Sequence, residues 1–515
     1  MAARPRRAPV ADISHWGAPT GGLNSVDNVA AMAPTDAVRL DNVVCETTYL
    51  RLRRGSTLYA NISRPGPVRS LMVWGGPTTQ KLLAASGGTV ADISIPATPV
   101  SLGDAFTSDI WQSTNFATPG GQFLVAVNGT AQQWTYDGTT FAAAANTFGP
   151  GAPTSSKFAC VAAYQQRLYF AASDSLWLYY LPVNVLQGAL HAIDLGSFLA
   201  FGGAIADIGT WTRDNAYGGS DDLLVIVTTH GEALVYQGID PDTAGGFVLA
   251  GRFVIGEPVG GHRALCRLGP DMMLICQDGF QAMANYLALG ESKALTSALS
   301  RKIGNAVSQA VKANKPGFGW EAILHSANNI MIVNIPQAGG GFYQYVVNTI
   351  TGAWSRFVGL NAQCWAIFAG KLFFGDLAGD VVQADFGNDD QGVPIAYDIV
   401  TSFQVLGQNA HQKRATMCRP YLIATGSPNP TMDVNVDFNI SPVTSAVTTT
   451  SSGALWNQAK WNEANWSSEP APQSQWFSVD GIGTTFAIRM SGVAQSATLQ
   501  ILAWDLAFET GVGFV

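Results

Sequence analysis

Charge is scarce in this 515-residue chain: Asp, Glu, Lys and Arg make up 12% of it, against 47% hydrophobic residues. That balance excludes a disordered, charge-solvated chain. It also leaves little to keep the whole surface wet, which favours surfaces covered by partner subunits. The net charge of −8 excludes nucleic-acid binding through an overall positive field, while leaving room for a low-friction wall along which DNA slides, because such a wall avoids multiple phosphate contacts. Cysteine is equally sparse. Six of them, Cys45, Cys160, Cys266, Cys276, Cys364 and Cys418, are scattered with no C-x-x-C pair, as expected of free, mostly buried thiols from a reducing compartment.

Long apolar runs are missing as well. The opening stretch has Arg4, Arg6 and Arg7 but no apolar core behind them, so it does not read as a secretory signal. The most lipid-like region, Leu176–Gly209, is interrupted by Pro182, Asn184, His191, Asp194 and Asp207, so it reads as core strands and loops. Phosphate loops, nucleophile elbows, zinc helices and EF-hand loops have no matching motif. We expect no catalytic, cofactor or metal residues and no enzyme activity. Aspartates do cluster at Asp221-Asp222, at Asp376, Asp380 and Asp385, and at Asp389-Asp390. Turns and strand ends explain them, with a carboxylate-based propeller glycosidase or lyase as the enzymatic alternative.

What the chain has in quantity is short apolar runs and 55 glycines. Asp221–Gly238 (DDLLVIVTTHGEALVYQG) reads as a β-hairpin whose strands are apolar on both faces. It therefore belongs in a sheet packed between two others. Similar runs, taken as first strands, begin near Leu71, Phe123, Leu168, Leu223, Met272, Ile330 and Leu372, spaced 42 to 58 residues apart. Turn pairs such as Asn128-Gly129 and Asp278-Gly279 sit between paired runs. A period near fifty residues built of short strands is a β-propeller signature, here of about six to eight blades over 61–390. Two β-sandwiches are the rival. One segment breaks the pattern: Leu295, Leu299, Ile303, Val307 and Val311 make an apolar stripe, predicting an amphipathic helix over about 293–313. Arg301, Lys312 and Lys315 project opposite the stripe, as a basic surface or a solvated helix face.

The flanks differ from the middle. Residues 1–60 read as an extended arm with docking strands, in which Arg39, Arg51, Arg53 and Arg54 are candidate assembly contacts or a solvated face. Beyond a linker at Gly387–Pro394, residues 391–515 read as a β-sandwich-like domain with alternating runs at Met432–Ile440, Thr485–Met490 and Ala497–Trp504. Trp456, Trp461 and Trp466 recur every five residues, a spacing that aligns on neither a strand nor a helix. They suit a looped segment whose indoles pin it to a sheet or a neighbouring subunit, or else a sugar-binding platform.

Gly21-Gly22-Leu23-Asn24, the run PTDAVRLDN at Pro34–Asn42 and Leu52-Arg53-Arg54-Gly55 resemble the start of the tail nozzle proteins of short-tailed bacteriophages. That family is also called tail tubular protein B or packaged-DNA stabilisation protein. The Trp-Asn repeat at Trp456–Trp466 is similar to a Trp-rich repeat near the family's C-terminus. The resemblance implies a structural virion protein with a propeller domain, six copies of which ring the tail axis. It implies self-association, contacts with tail adaptor proteins and the portal side, contacts with tail fibres or a needle, and double-stranded DNA passing through the channel. The phage tail, assembled in the host cytoplasm, is the implied location. A carbohydrate-binding receptor module remains a further alternative.

Overall fold

The computed structural model describes residues 11–214, 220–269, 271–285, 298–407, 411–428, 430–440 and 471–511. The chain divides into two compact units. Unit 1 comprises Met1–Thr57, Tyr345–Val358 and Asp385–Val515, and unit 2 comprises Leu58–Gln344 and Gly359–Ala384. Both are built almost wholly of strands.

Unit 2 is a β-propeller. Six separate sheets and one further strand run follow each other in chain order. Their innermost strands are Ser70–Gly75, Gln112–Thr118, Phe158–Tyr164, Ile205–Asp214, Leu265–Leu268, Glu321–His325 and Cys364–Phe368. Each touches the next, and Cys364–Phe368 touches Ser70–Gly75, so the ring closes. Closure is also written into the pairing. The last sheet takes its outermost strand, Ser56–Asn61, from the beginning of the chain, which leaves no free seam between first and last blades.

The hairpin at 221–238 is the middle of the fourth blade, formed by Ser220–Thr228 and Glu232–Gly238. Its alternate residues face opposite neighbours. Leu224, Ile226, Leu234 and Tyr236 pack with Tyr164, Tyr169 and Tyr180 of the third blade. Val225, Val227 and Val235 pack with Met272 and Leu274 of the fifth. Gly231 (φ 80°) makes the turn, where a Cβ would come within 2.5 Å of the Ile255 carbonyl oxygen, so only glycine fits.

One expectation needs correction. Of the seven runs taken as first strands, only Leu71 lies on an innermost strand. Phe123, Leu168, Leu223, Met272, Ile330 and Leu372 lie on second strands, each preceded by an innermost strand that the hydropathy reading passed over. The physical reason is coverage. A second strand has strands on both edges and blades on both faces, so it is continuously apolar. An innermost strand borders the axis and carries polar residues such as Gln112, Asp207 and Glu321.

The helix is shorter than predicted. Residues 293–297 lie outside the described residues, Arg301–Ile303 is a 3₁₀ turn, and the α-helix runs Gly304–Asn314. Ile303, Val307 and Val311 of the expected stripe are buried, whereas Leu299 is 37% exposed.

Unit 1 is organised on the 26-residue strand Thr485–Thr510. Its first part pairs with Ile395–Thr401 and Pro430–Val436, its second with Lys413–Ser427 and Asp12–Gly17. The residues expected to form a separate arm are thus strands of this unit, with Asp12–Gly17 along Thr485–Thr510 and Asp36–Asp41 beside Ile395–Thr401. The alternating run at 432–440 stops at Val436 because Asp437 and Phe438 turn with positive φ. The Asp437 carboxylate there accepts the Thr484 and Thr485 N–H groups.

Candidate functional site at the propeller mouth

Polar residues on or just before the innermost strands, Ser70, Gln112, Asp207, Arg263 and Glu321 among them, form a hydrogen-bonded girdle beside a cavity. Gly260 (φ 102°) and Gly261 (φ 58°) turn the chain into the 3₁₀ segment Gly261–Arg263. That turn delivers His262 and Arg263 to the axis.

Arg263 Nη2 donates to Ser70 Oγ at 2.7 Å, the Trp111 carbonyl at 3.0 Å and the Arg69 carbonyl at 3.1 Å. Its Nη1 reaches Glu321 Oε2 at 3.4 Å, and the same oxygen accepts the Trp365 N–H. Gln112 Nε2 donates to Asp207 Oδ1 and to the His262 carbonyl, both at 2.8 Å, while its Oε1 accepts the Val161 N–H. Asp207 Oδ2 takes the Leu265 N–H at 3.0 Å. Four side chains, Arg263, Gln112, Asp207 and Glu321, thereby tie together strands from all seven positions around the axis. Each bond is made by a group that would otherwise be buried and unpaired, so the girdle both satisfies and specifies the ring.

Burial pushes the Asp207 carboxyl up to about 7, opposed by its hydrogen bonds from Leu265, Gln112 and Ile208 and by the Arg263 charge. Burial also raises Glu321, with Arg263 pulling the other way. His262 is lowered by burial, which keeps it neutral, and its Nδ1–H donates to the Ala206 carbonyl at 2.8 Å. Cys160 Sγ lies 3.1 Å from His262 Nδ1, but burial raises that thiol well above its ordinary value. The pair is therefore not an activated nucleophile, which needs a lowered thiol. All six cysteines are free and buried.

Above the girdle is a cavity of about 380 Å³. It is lined by Ile110, Trp111, Gln112, Asn128, Gly129 and Ala159, by residues 260–263 and by residues 315–320. The size falls in the range of small-molecule pockets. Asn128 is 7% exposed, and its Oδ1 is fixed by the N–H groups of Thr130 and Ala131. Phe318 stands at the rim with the guanidinium carbons of Arg69 and Arg263 at 5.8 and 5.4 Å from its ring centre.

Of the sequence-derived candidates among the described residues, Lys315 lines this cavity and the others lie outside its lining. In unit 1, Arg39 binds Asp398 at 2.7 Å alongside Arg489, and Arg51 binds Glu46 at 3.0 Å. Arg53 is 3% exposed and makes a two-pronged bond to Asp390, with its Nε on Asn42 Oδ1. Arg54 is exposed and, of these four, is the one that meets no carboxylate among the described residues. In unit 2, Arg301, Lys312 and Lys315 are all exposed, and Lys315 bonds to Glu257. Trp456, Trp461 and Trp466 lie outside the described residues. Sequence reading missed Gln112, Asp207, His262, Arg263 and Glu321. A buried girdle leaves only isolated polar residues in the sequence, and Asp207 was visible there only as an interruption of an apolar stretch.

No family model and no curated protein matches the sequence. Solved structures with a similar fold include Sqt1 of Saccharomyces cerevisiae, at 10% identity over 65% of this chain and 99% of that one, TM-score 0.39. A chain of the Mitotic Checkpoint Complex aligns at 11% identity over 75% of this chain and 98% of its own, TM-score 0.38. BBS1N, solved in complex with ARL6DN, aligns at 10% identity over 45% and 73%, TM-score 0.31. At this level the likenesses carry no functional argument, and the propeller rests on this chain's own sheet order.

Proposed function

We propose that the chain is a structural virion protein, a ring-forming tail nozzle that extends a DNA channel and retains packaged genome until ejection. The observation that carries this reading is where the residues of the family resemblance sit. Asn24, Asp36, Asp41, Asn42 and Arg53 are each no more than 8% exposed. They form the polar joints of unit 1: Asn24 Nδ2 donates to Asp36, Asp41 pairs with Arg356 at 2.7 Å, and Asn42 receives Arg53. These five residues of the resemblance fix the backbone, while Pro34, Thr35 and Arg54 of the same runs are exposed.

Scarce charge and a net charge of −8 suit a subunit packed against copies of itself around passing DNA. In this reading its partners are further copies in a homohexamer, the tail adaptor proteins, and fibres or a needle. The glycosidase or lyase reading finds less support, because no carboxylate lines the mouth cavity among the described residues. Electron microscopy of the purified chain and of virions tests the proposal. A ring with a central channel at the tail is the expected result. A chain that stays monomeric and is absent from virions refutes it.

A further inference from the structure

The geometry points to the mouth of the propeller as a binding site for a carboxylate carried on an apolar or aromatic body. It rests on unit 2 alone and does not depend on the nozzle reading.

The cavity wall is chemically one-sided. Lys315 and Arg263 line it and no Asp or Glu does. Arg69 adds an exposed guanidinium beside Phe318, one that meets no carboxylate among the described residues. Glu257 and Glu321 partly offset Lys315 and Arg263 through ion pairs, but both lie outside the lining.

Asn128 supplies the orienting donor. Its Oδ1 is fully engaged by Thr130 and Ala131, while no hydrogen bond reaches its Nδ2 among the described residues. With its acceptor spent, the amide keeps a solvent-accessible donor at the cavity wall, where a ligand oxygen can take the place of water. Gln112 and His262 are the other polar side chains of the wall, and its large apolar ones are Ile110, Trp111, Pro316, Phe318 and Trp320. A planar or branched apolar body fits there, its carboxylate meeting Asn128 Nδ2 and the positive field of Arg69 and Arg263.

Calorimetric titration of the full-length protein with 3-phenylpropionate tests this, with 3-phenylpropionamide as the uncharged control. Short peptides ending in Phe, with a free or an amidated terminus, form a second arm that separates a free small acid from a chain terminus as the source. The acid form in at least one arm should bind, and its amide should bind about tenfold more weakly or not at all. Asn128→Asp keeps the oxygen that holds Thr130 and Ala131 but replaces the donor with negative charge, so binding should fall by about tenfold or more. Arg69→Gln changes an exposed side chain and should weaken binding several-fold, more so at low salt. Thermal melts of both variants identify any loss of fold. Equal affinity for acid and amide, no binding of either acid at millimolar concentration, or full binding by both folded variants overturns the assignment.

Discussion

Asp207 gives the sharpest test of how the propeller axis is held. The carboxyl titrates at about 7 in the folded protein against an ordinary value of 3.8, chiefly through burial. The folded state therefore holds the proton more tightly than the unfolded chain, and the associated stability is fully present below about pH 4. It is lost as pH rises to about 7 and stays lost above that. At about 1.36 kcal/mol per pH unit, the gap corresponds to about 4 kcal/mol. Other groups titrate in the same range. Glu321 is raised and acts in the same direction, while His262 is lowered and gains stability as pH rises toward 6.5. The comparison with Asp207→Asn isolates the one group. The substitution removes its titration and sets an amide against the donors of Gln112, Ile208 and Leu265, a cost of about 1–3 kcal/mol that does not vary with pH. Urea unfolding followed by Trp fluorescence from about pH 5 to about pH 8 should show the variant clearly weaker in acid and the difference shrinking or reversing in base. A constant difference across that range would refute the assignment of a buried, raised carboxyl.

Arg53→Met should destabilise unit 1 by about 3–5 kcal/mol in urea unfolding, because, among the described residues, it leaves the Asp390 carboxylate without its cation, held only by Ser56, and takes one of two donors from the Asn42 oxygen. Gly55→Ala should do comparable damage in the same measurement, since a Cβ would sit 1.8 Å from the Asp389 carbonyl oxygen. Leu224→Ala, fully buried between the third and fourth blades, should cost about 2–5 kcal/mol, read as a lower urea midpoint. The six buried thiols should be silent to a thiol reagent in the native protein and all react once it is unfolded; a fast-reacting native thiol would contradict the burial.

The sequence by itself determined that this is a β protein of repeated, doubly covered hairpins, because a strand enclosed on both faces must be apolar at every position, as Leu223–Val227 is. Its turns were legible for the same local reason: Gly129 and Gly231 adopt the positive φ that glycine favours. Only the tertiary structure decided which strand of each blade those runs occupy, and that Ser56–Asn61 closes the last blade. Such pairing joins residues hundreds of positions apart, and nothing local records it. The same holds for the polar groups. Arg53 reads as a surface cation until its partner, 337 residues away, turns out to be Asp390. Gln112, Asp207 and Arg263 become one girdle only when the innermost strands converge on the axis, where burial makes each unpaired donor or acceptor costly. Periodicity reports covering by neighbours, which is a property of a segment; a site is a property of segments brought together.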